Sequence, residues 1–364
     1  LALKYIEEFG DFRLAQDLAT QIARLSKRPV NLMEVCGSHT AAIFRHGIRD
    51  LLPSTIRLLS GPGCPVCVTA ASDVDKALAI ARTPGVVFAT FGDMMGVPGS
   101  EGNLQQARAE GSDVRIVYSP LDALDFAQRE PTKRVVFFAV GFETTSPLIA
   151  ATLKRAISLG VENFSVFSVH KLIPPALRVL VSSQEVNIDG FMLPGHVSAI
   201  IGVSPYRFLA EEFHTPAVVS GFEPLDILQS ILMLVVQREI GRAEIEIQYR
   251  RVVSAEGNRR ALRLLEEIFC PVYDSWRGLG TIPQSGLKLR KGLKKWDAEA
   301  HFDLPSRPVQ ENPDCQCGKV LRGVILPTQC SLFGKRCTPE NPLGPCMVSA
   351  EGTCSAHYRY GVLA

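Results

Sequence analysis

The chain has no uninterrupted apolar run near the roughly 18 residues that a membrane-spanning helix needs. Its longest apolar stretches, such as "VVFFAV" and "ILMLVV", have the length of core elements. An excess of one charge is also lacking. Lys and Arg number 39 against 37 Asp and Glu, so no broad field points to nucleic acid or an anionic membrane as a partner. The opening residues, "LALKYIEEFGDF", carry acids early and show neither the apolar core nor the cleavage site of a secretory signal. No short repeat or low-complexity tract is present. These absences lead to the expectation of a cytoplasmic protein, a setting in which ten cysteines serve as thiols, metal ligands or redox centres rather than as a disulfide framework.

The 364 residues suffice for two or three domains at roughly 100–200 residues each. From about residue 30 to 220 a short run rich in Val, Ile and Phe is followed by a small-residue or polar loop and then a helical segment. The runs are "VNLMEV", "IRLLS", "GVVFATF", "VRIVYS", "RVVFFAV", "FSVFSV", "GFMLP" and "AVVSG". Continuous apolar runs of this length suit parallel strands buried on both faces. The expected fold is therefore α/β: two successive parallel-sheet domains, 1–125 and 126–245, and a Cys-rich C-terminal lobe, 246–364. The polar clusters "CGSHT", "GPGCPVC", "GFETT", "VHKLIPP", "PGHVS" and "GFEPLD" all follow the runs. In open α/β sheets, ligands bind beyond the carboxyl ends of the strands, so these loops are expected to face one cleft.

Six of the cysteines lie between residues 315 and 354. Cys317, Cys330, Cys337 and Cys354 could close a tetrahedral zinc site or ligate a [4Fe–4S] cluster. All-thiolate ligation without paired short knuckles favours iron–sulfur, and Cys315 or Cys346 could replace one of the four. Cys36 in "LMEVCGSHT" ends the first strand just before a helix, where the helix dipole and His39 favour a thiolate for metal binding or nucleophilic attack. In "GPGCPVCV", glycine and proline frame Cys64 and Cys67. That geometry fits a reversible dithiol/disulfide, with a Cys3His zinc site built from Cys36 and His39 as the competitor. Glu143, Thr144 and Thr145 in "GFETT", and His196 and Ser198 in "PGHVS", can position a polar ligand, although Thr145 and Ser198 also suit helix caps. His170, Lys171, Glu223 and Asp226 suit site lining or hydrogen-bonded structure equally well. Cys270, His301 and His357 read as structural or surface residues.

With "CGSHT", "GPGCPVCV", "GFETT", "PGHVS", "GFEPLD", "WRGLG" and the Cys-rich tail in that order, the chain resembles the HypD family of hydrogenase formation proteins over essentially its whole length. The resemblance implies a three-lobed α/β scaffold carrying a [4Fe–4S] cluster. Such a scaffold works with a small HypC-like partner and a HypE-like cyanide donor to assemble the iron that carries cyanide and carbon monoxide for [NiFe]-hydrogenases. It further implies that Cys36 ligates that iron beside His39, and that Cys64 and Cys67 are a redox-active pair. Cys317, Cys330, Cys337 and Cys354 would hold the cluster, while Glu143, Thr144 and His196 line the cleft. Two positions depart from the family pattern: Ala41 stands where a second His is usual, and Ile325 where a further Cys is usual. The alternatives are a stand-alone iron–sulfur disulfide reductase and a zinc-stabilised binding protein.

Overall fold

The computed structural model describes residues 11–304 and 312–361; the N-terminal stretch discussed above falls largely outside them. Twelve strands are present among these residues. They are β1 (Val30–Glu34), β2 (Ile56–Ser60), β3 (Val86–Thr90), β4 (Asp113–Ile116), β5 (Arg134–Ala139), β6 (Phe164–Ser168), β7 (His170–Lys171), β8 (Gly190–Pro194), β9 (Ala217–Ser220), β10 (Ile245–Ile247), β11 (Phe269–Trp276) and β12 (Gly280–Leu289). All eight apolar runs become strands. β3, β6, β8 and β9 are buried at every position, as strands covered by helices on both faces must be.

The strands form two parallel sheets and a small antiparallel one. The first is ordered β10-β9-β8-β1-β2, the second β4-β3-β5-β6, and the antiparallel sheet β11-β12-β7. The second sheet is nested in sequence inside the first, which draws β1 and β2 from one end of the chain and β8 to β10 from beyond residue 189. Residue 125 lies in the helix Pro120–Arg129, between two strands of the second sheet, so a cut there does not separate the sheets. Local apolar runs report that strands exist; which strands pair is decided by contacts far apart in sequence. Residues 245–289 likewise complete sheets rather than joining the thiol-rich segment.

In each parallel sheet the chain moves outward in both directions from one central pair, β1/β8 in the first and β3/β5 in the second. Such reversals open a crevice at the carboxyl ends of the strands. Cys36 and His196 follow the first pair, and Asp93 and Glu143 follow the second. The segment 345–351 bridges the two crevices. Ser349 Oγ donates to Asp93 at 2.9 Å, and Ser38 Oγ donates to Glu351 at 2.6 Å.

No helix among the described residues is long and apolar enough to cross a membrane.

Candidate functional site

Cys36 is the N-cap residue of the helix Gly37–Arg45. Its loop is held against the second cysteine loop by the Gly37 N–H, which donates to the Gly63 carbonyl at 3.0 Å. Gly63 has no room for a side chain, because a Cβ there would overlap the Cys36 backbone. This close approach is why the glycine-rich "GPGC" stretch follows β2. Gly37 is equally confined, lying against Glu351. Burial pushes the Cys36 thiol up to about 11, helped by the nearby Glu351 carboxylate and opposed by the backbone N–H groups of Ser38 and His39. The residue keeps partial solvent access, which tempers that shift. The helix terminus thus acts in the expected direction, but desolvation outweighs it.

His39 does not supply the expected positive charge. It is buried and pushed down to about 4 by desolvation, and its Nε2–H donates to the Gly221 carbonyl at 2.9 Å. Its ring stacks on Phe222 at 4.7 Å, and His196 stacks on the same ring at 3.9 Å. Phe222 of "GFEPLD" therefore sits between two imidazoles, with His196 on the exposed side. In the same motif Asp226 is structural: it pairs with Arg251 and accepts from Gln248 at 2.8 Å.

Cys64 and Cys67 are joined as a disulfide with Cα atoms 5.3 Å apart. Both are buried, at 3% and 0% exposure, and Pro65 opens the short helix between them, where a proline's missing N–H is harmless. The competing zinc reading would need these sulfurs to converge with Cys36 and His39. Among the described residues no three His, Cys, Asp or Glu side chains are grouped to hold a single ion, and the His39 ring is turned to Gly221.

Glu143 is buried, and its Oε1 accepts the Ile173 N–H at 3.0 Å. Desolvation raises it to about 7. Thr144 is exposed on the same loop. Thr145 occupies an N-cap position without a side-chain capping bond, and Ser198 bonds back to the Pro194 carbonyl at 2.9 Å within its helix. Lys171 is locked in a buried ion-pair network with Asp73 and Asp274, and His170 is held by Ser168 at 2.9 Å; both are structural. Glu223 caps the helix Pro224–Glu239. His301 donates to the Lys295 carbonyl at 2.8 Å, and His357 packs on Phe44 and Phe333.

In the C-terminal segment all six cysteines, 315, 317, 330, 337, 346 and 354, line one cavity, walled by Val320, Leu332, Phe333 and Met347. A soft-thiol ring with apolar walls fits a thiolate-bound iron–sulfur cluster. Hydrogen bonds from Cys315 and Cys346 push the Cys317 thiol well down, and the positive charge of Arg277 assists; those two partners are held protonated. Ile325 lies outside this ring, beside Arg49 and His357 in a neighbouring apolar pocket. The cavity adjoins the disulfide: Cys67 Sγ is 3.9 Å from the Pro345 carbonyl, next in sequence to Cys346.

Several residues of the site were not singled out from sequence. Glu34 is buried at the end of β1, accepts from Thr40 at 2.9 Å and is raised to about 7 by desolvation. Glu34 lies inside "LMEVCGSHT", which was the available signal, and Glu351 stands three residues before Cys354. Tyr206 has none. Its buried hydroxyl lies 3.5 Å from Ser198 Oγ and close to both Glu143 and Cys36, and it is held fully protonated by burial.

Comparison with known proteins gives a consistent result. The HypD family profile, described as "Hydrogenase formation hypA family", matches residues 13–361. The chain is 49% identical over 370 residues to hydrogenase maturation factor HypD2 of Bradyrhizobium diazoefficiens, covering 99% of this chain and 97% of that protein. It is 49% identical over 370 residues to HypD of Rhizobium leguminosarum, covering 99% and 96% of the two chains. With Escherichia coli HypD it shares 48% identity over 346 residues, covering 95% and 93%.

Proposed function

The chain belongs to the HypD family of hydrogenase maturation factors, and from that premise we propose that it works in the cytosol as a scaffold with a small HypC-like partner. On it the iron that carries cyanide and carbon monoxide is assembled for a [NiFe]-hydrogenase, with cyanide arriving from a HypE-like donor. The iron is cargo. Cys36 binds it through its thiolate, giving up a proton on binding, at the crevice between β1 and β8. His39, neutral and fixed by Gly221, keeps Phe222 and His196 aligned beside it, while Glu143 and Thr144 contribute polar groups from the second crevice.

The observation that carries this reading is the path of one tail segment. Between residues 345 and 354 it touches the disulfide through Pro345, contributes Cys346 and Cys354 to the thiol ring, and reaches the Cys36 helix through Glu351. Cys317, Cys330, Cys337 and Cys354 would hold a [4Fe–4S] cluster, which when bound supplies one-electron redox chemistry next to the disulfide. Reduction of Cys64–Cys67 takes two electrons and two protons and yields two thiols. Surrounding protein keeps that bond from bulk solvent, so exchange with small thiols is disfavoured.

Complementation tests the reading. In cells lacking their own HypD, this chain should restore [NiFe]-hydrogenase activity, and Cys64→Ala or Cys67→Ala should abolish it with iron content retained. Restoration by either single variant would remove the redox pair from the proposal.

A further inference from the structure

The exposed imidazole of His196 makes no hydrogen bond among the described residues, and what orients it is its stack on Phe222, with ring centroids 3.9 Å apart. Whatever places Phe222 therefore places His196. Phe222 also stacks on His39 at 4.7 Å, and it meets Tyr249 at 5.9 Å with the two rings almost perpendicular, at 87°, a favoured aromatic geometry. Tyr249 lies just beyond β10 and has no part in the scheme above. Gln248 and Tyr249 both donate their backbone N–H groups to the Val219 carbonyl, at 2.9 and 3.2 Å, which ties this turn to the end of β9. The Tyr249 ring lies so close to two glycines that an added Cβ would stand 2.8 Å from it at Gly195 and 2.7 Å from it at Gly221. Gly195 directly precedes His196, and Gly221 directly precedes Phe222. The ring is thus a wedge between the two loops that carry the stacked side chains. Arg251 covers it from 4.4 Å while donating Nη1–H to Asp226 at 2.7 Å, and Gln248 Oε1 accepts the Gly221 N–H at 3.0 Å. The Tyr249 hydroxyl makes no hydrogen bond among the described residues, so the wedge acts through the ring alone.

We propose that Tyr249 is a positioning residue for the iron-assembly site: its ring, wedged against Gly195 and Gly221, keeps Phe222 flat on His196 and so fixes where that imidazole stands at the crevice between β1 and β8. The inference rests on the maturation reading for the identity of the site, and on the stack alone for the positioning. Without its stacking partner an exposed imidazole is free to exchange among staggered rotamers, and a site group misplaced by about 1 Å can cost roughly 100-fold in rate. An aliphatic side chain at position 249 lacks the flat face against which both glycines pack.

The test is nuclear magnetic resonance of the full chain with labelled histidine, the His196 signal being identified by its loss in His196→Gln. Imidazole protons stacked on Phe222 are shielded by that ring and should resonate upfield of an unstacked histidine. Tyr249→Phe should keep this displacement, and Tyr249→Leu should lose most of it. Infrared bands of iron-bound cyanide and carbon monoxide, in the complex with the HypC-like partner, should be unchanged in the Phe variant and weakened several-fold in the Leu variant. Tyr249→Met, whose unbranched side chain fills irregular gaps, gives the same comparison if the Leu protein does not fold. A displacement unmoved in the Leu and Met variants overturns the inference, as does a Phe variant that shifts as far as Leu, or a lost stack with bands at wild-type strength. Failure of both Leu and Met to fold also overturns it, since the ring would then be a folding requirement. Absence of bands from the wild-type complex defeats the maturation reading instead, and the imidazole signal then decides the inference by itself.

Discussion

Cys36 has to give up a proton that its surroundings hold in place. Burial and the Glu351 carboxylate raise the thiol to about 11, so iron uptake at this residue should strengthen as pH rises through neutrality. Glu351→Gln removes the opposing charge and should speed alkylation of Cys36 several-fold at pH 8. Mass spectrometry of the Cys36 peptide checks this; an unchanged or slower rate contradicts it. Glu143 gives a second test. Its folded value, about 7, lies above the ordinary 4.5, so the folded state holds the proton more tightly. The associated stability is full below pH 4.5 and is lost as pH rises through 7. Glu143→Gln should therefore reduce the loss of stability between pH 5 and pH 8 by on the order of 2–3 kcal/mol, read by denaturant unfolding at both values. An identical pH slope in the variant contradicts the burial argument. At this scale the sequence was readable where the pairing is local, as at Cys64 and Cys67, whereas at Cys36 burial outweighs the help expected from the helix terminus. It misled at His39, which burial against a loop some 180 residues away keeps neutral even though its hydrogen bond to Gly221 favours the charged form.

Among the elements, the loops after β1 and β2 form one unit because Gly63 lies directly against the Cys36 backbone. Gly63→Ala should cost a few kcal/mol through overpacking and backbone shift, lower the thermal midpoint and spread the two loops apart. Differential alkylation should then show a slower-forming 64–67 disulfide; wild-type stability together with wild-type disulfide formation would contradict the close approach. The parallel strands were legible because doubly buried strands are uninterrupted apolar runs. β11 and β12 were not. Strand β11, "FCPVYDSW", is buried only at its two ends, alternates half-buried and exposed positions between them and includes Pro271 and Asp274, so it lacks such a run and is held by antiparallel pairing with β12. β10 escaped notice for a related reason: it is a three-residue edge strand with partly exposed side chains.

For the molecule as a whole, the two crevices, the disulfide and the thiol ring are joined through the segment 345–354. Spacing alone left the cluster ligands open among six cysteines, and the fold brings all six to one cavity. Ala substitution at Cys317, Cys330, Cys337 or Cys354 should each reduce iron and sulfide content and destabilise the C-terminal lobe, whereas Cys315→Ala and Cys346→Ala should retain both. Loss of the cluster in Cys346→Ala would require a different ligand set. The central claim is that Cys36 carries the iron cargo, and infrared spectroscopy of the protein isolated anaerobically with its HypC-like partner tests it most directly. The wild-type complex should show bands of iron-bound cyanide and carbon monoxide, and Cys36→Ser should lose those bands while keeping the iron–sulfur spectrum. Bands of undiminished intensity in Cys36→Ser would place the iron elsewhere and contradict the account.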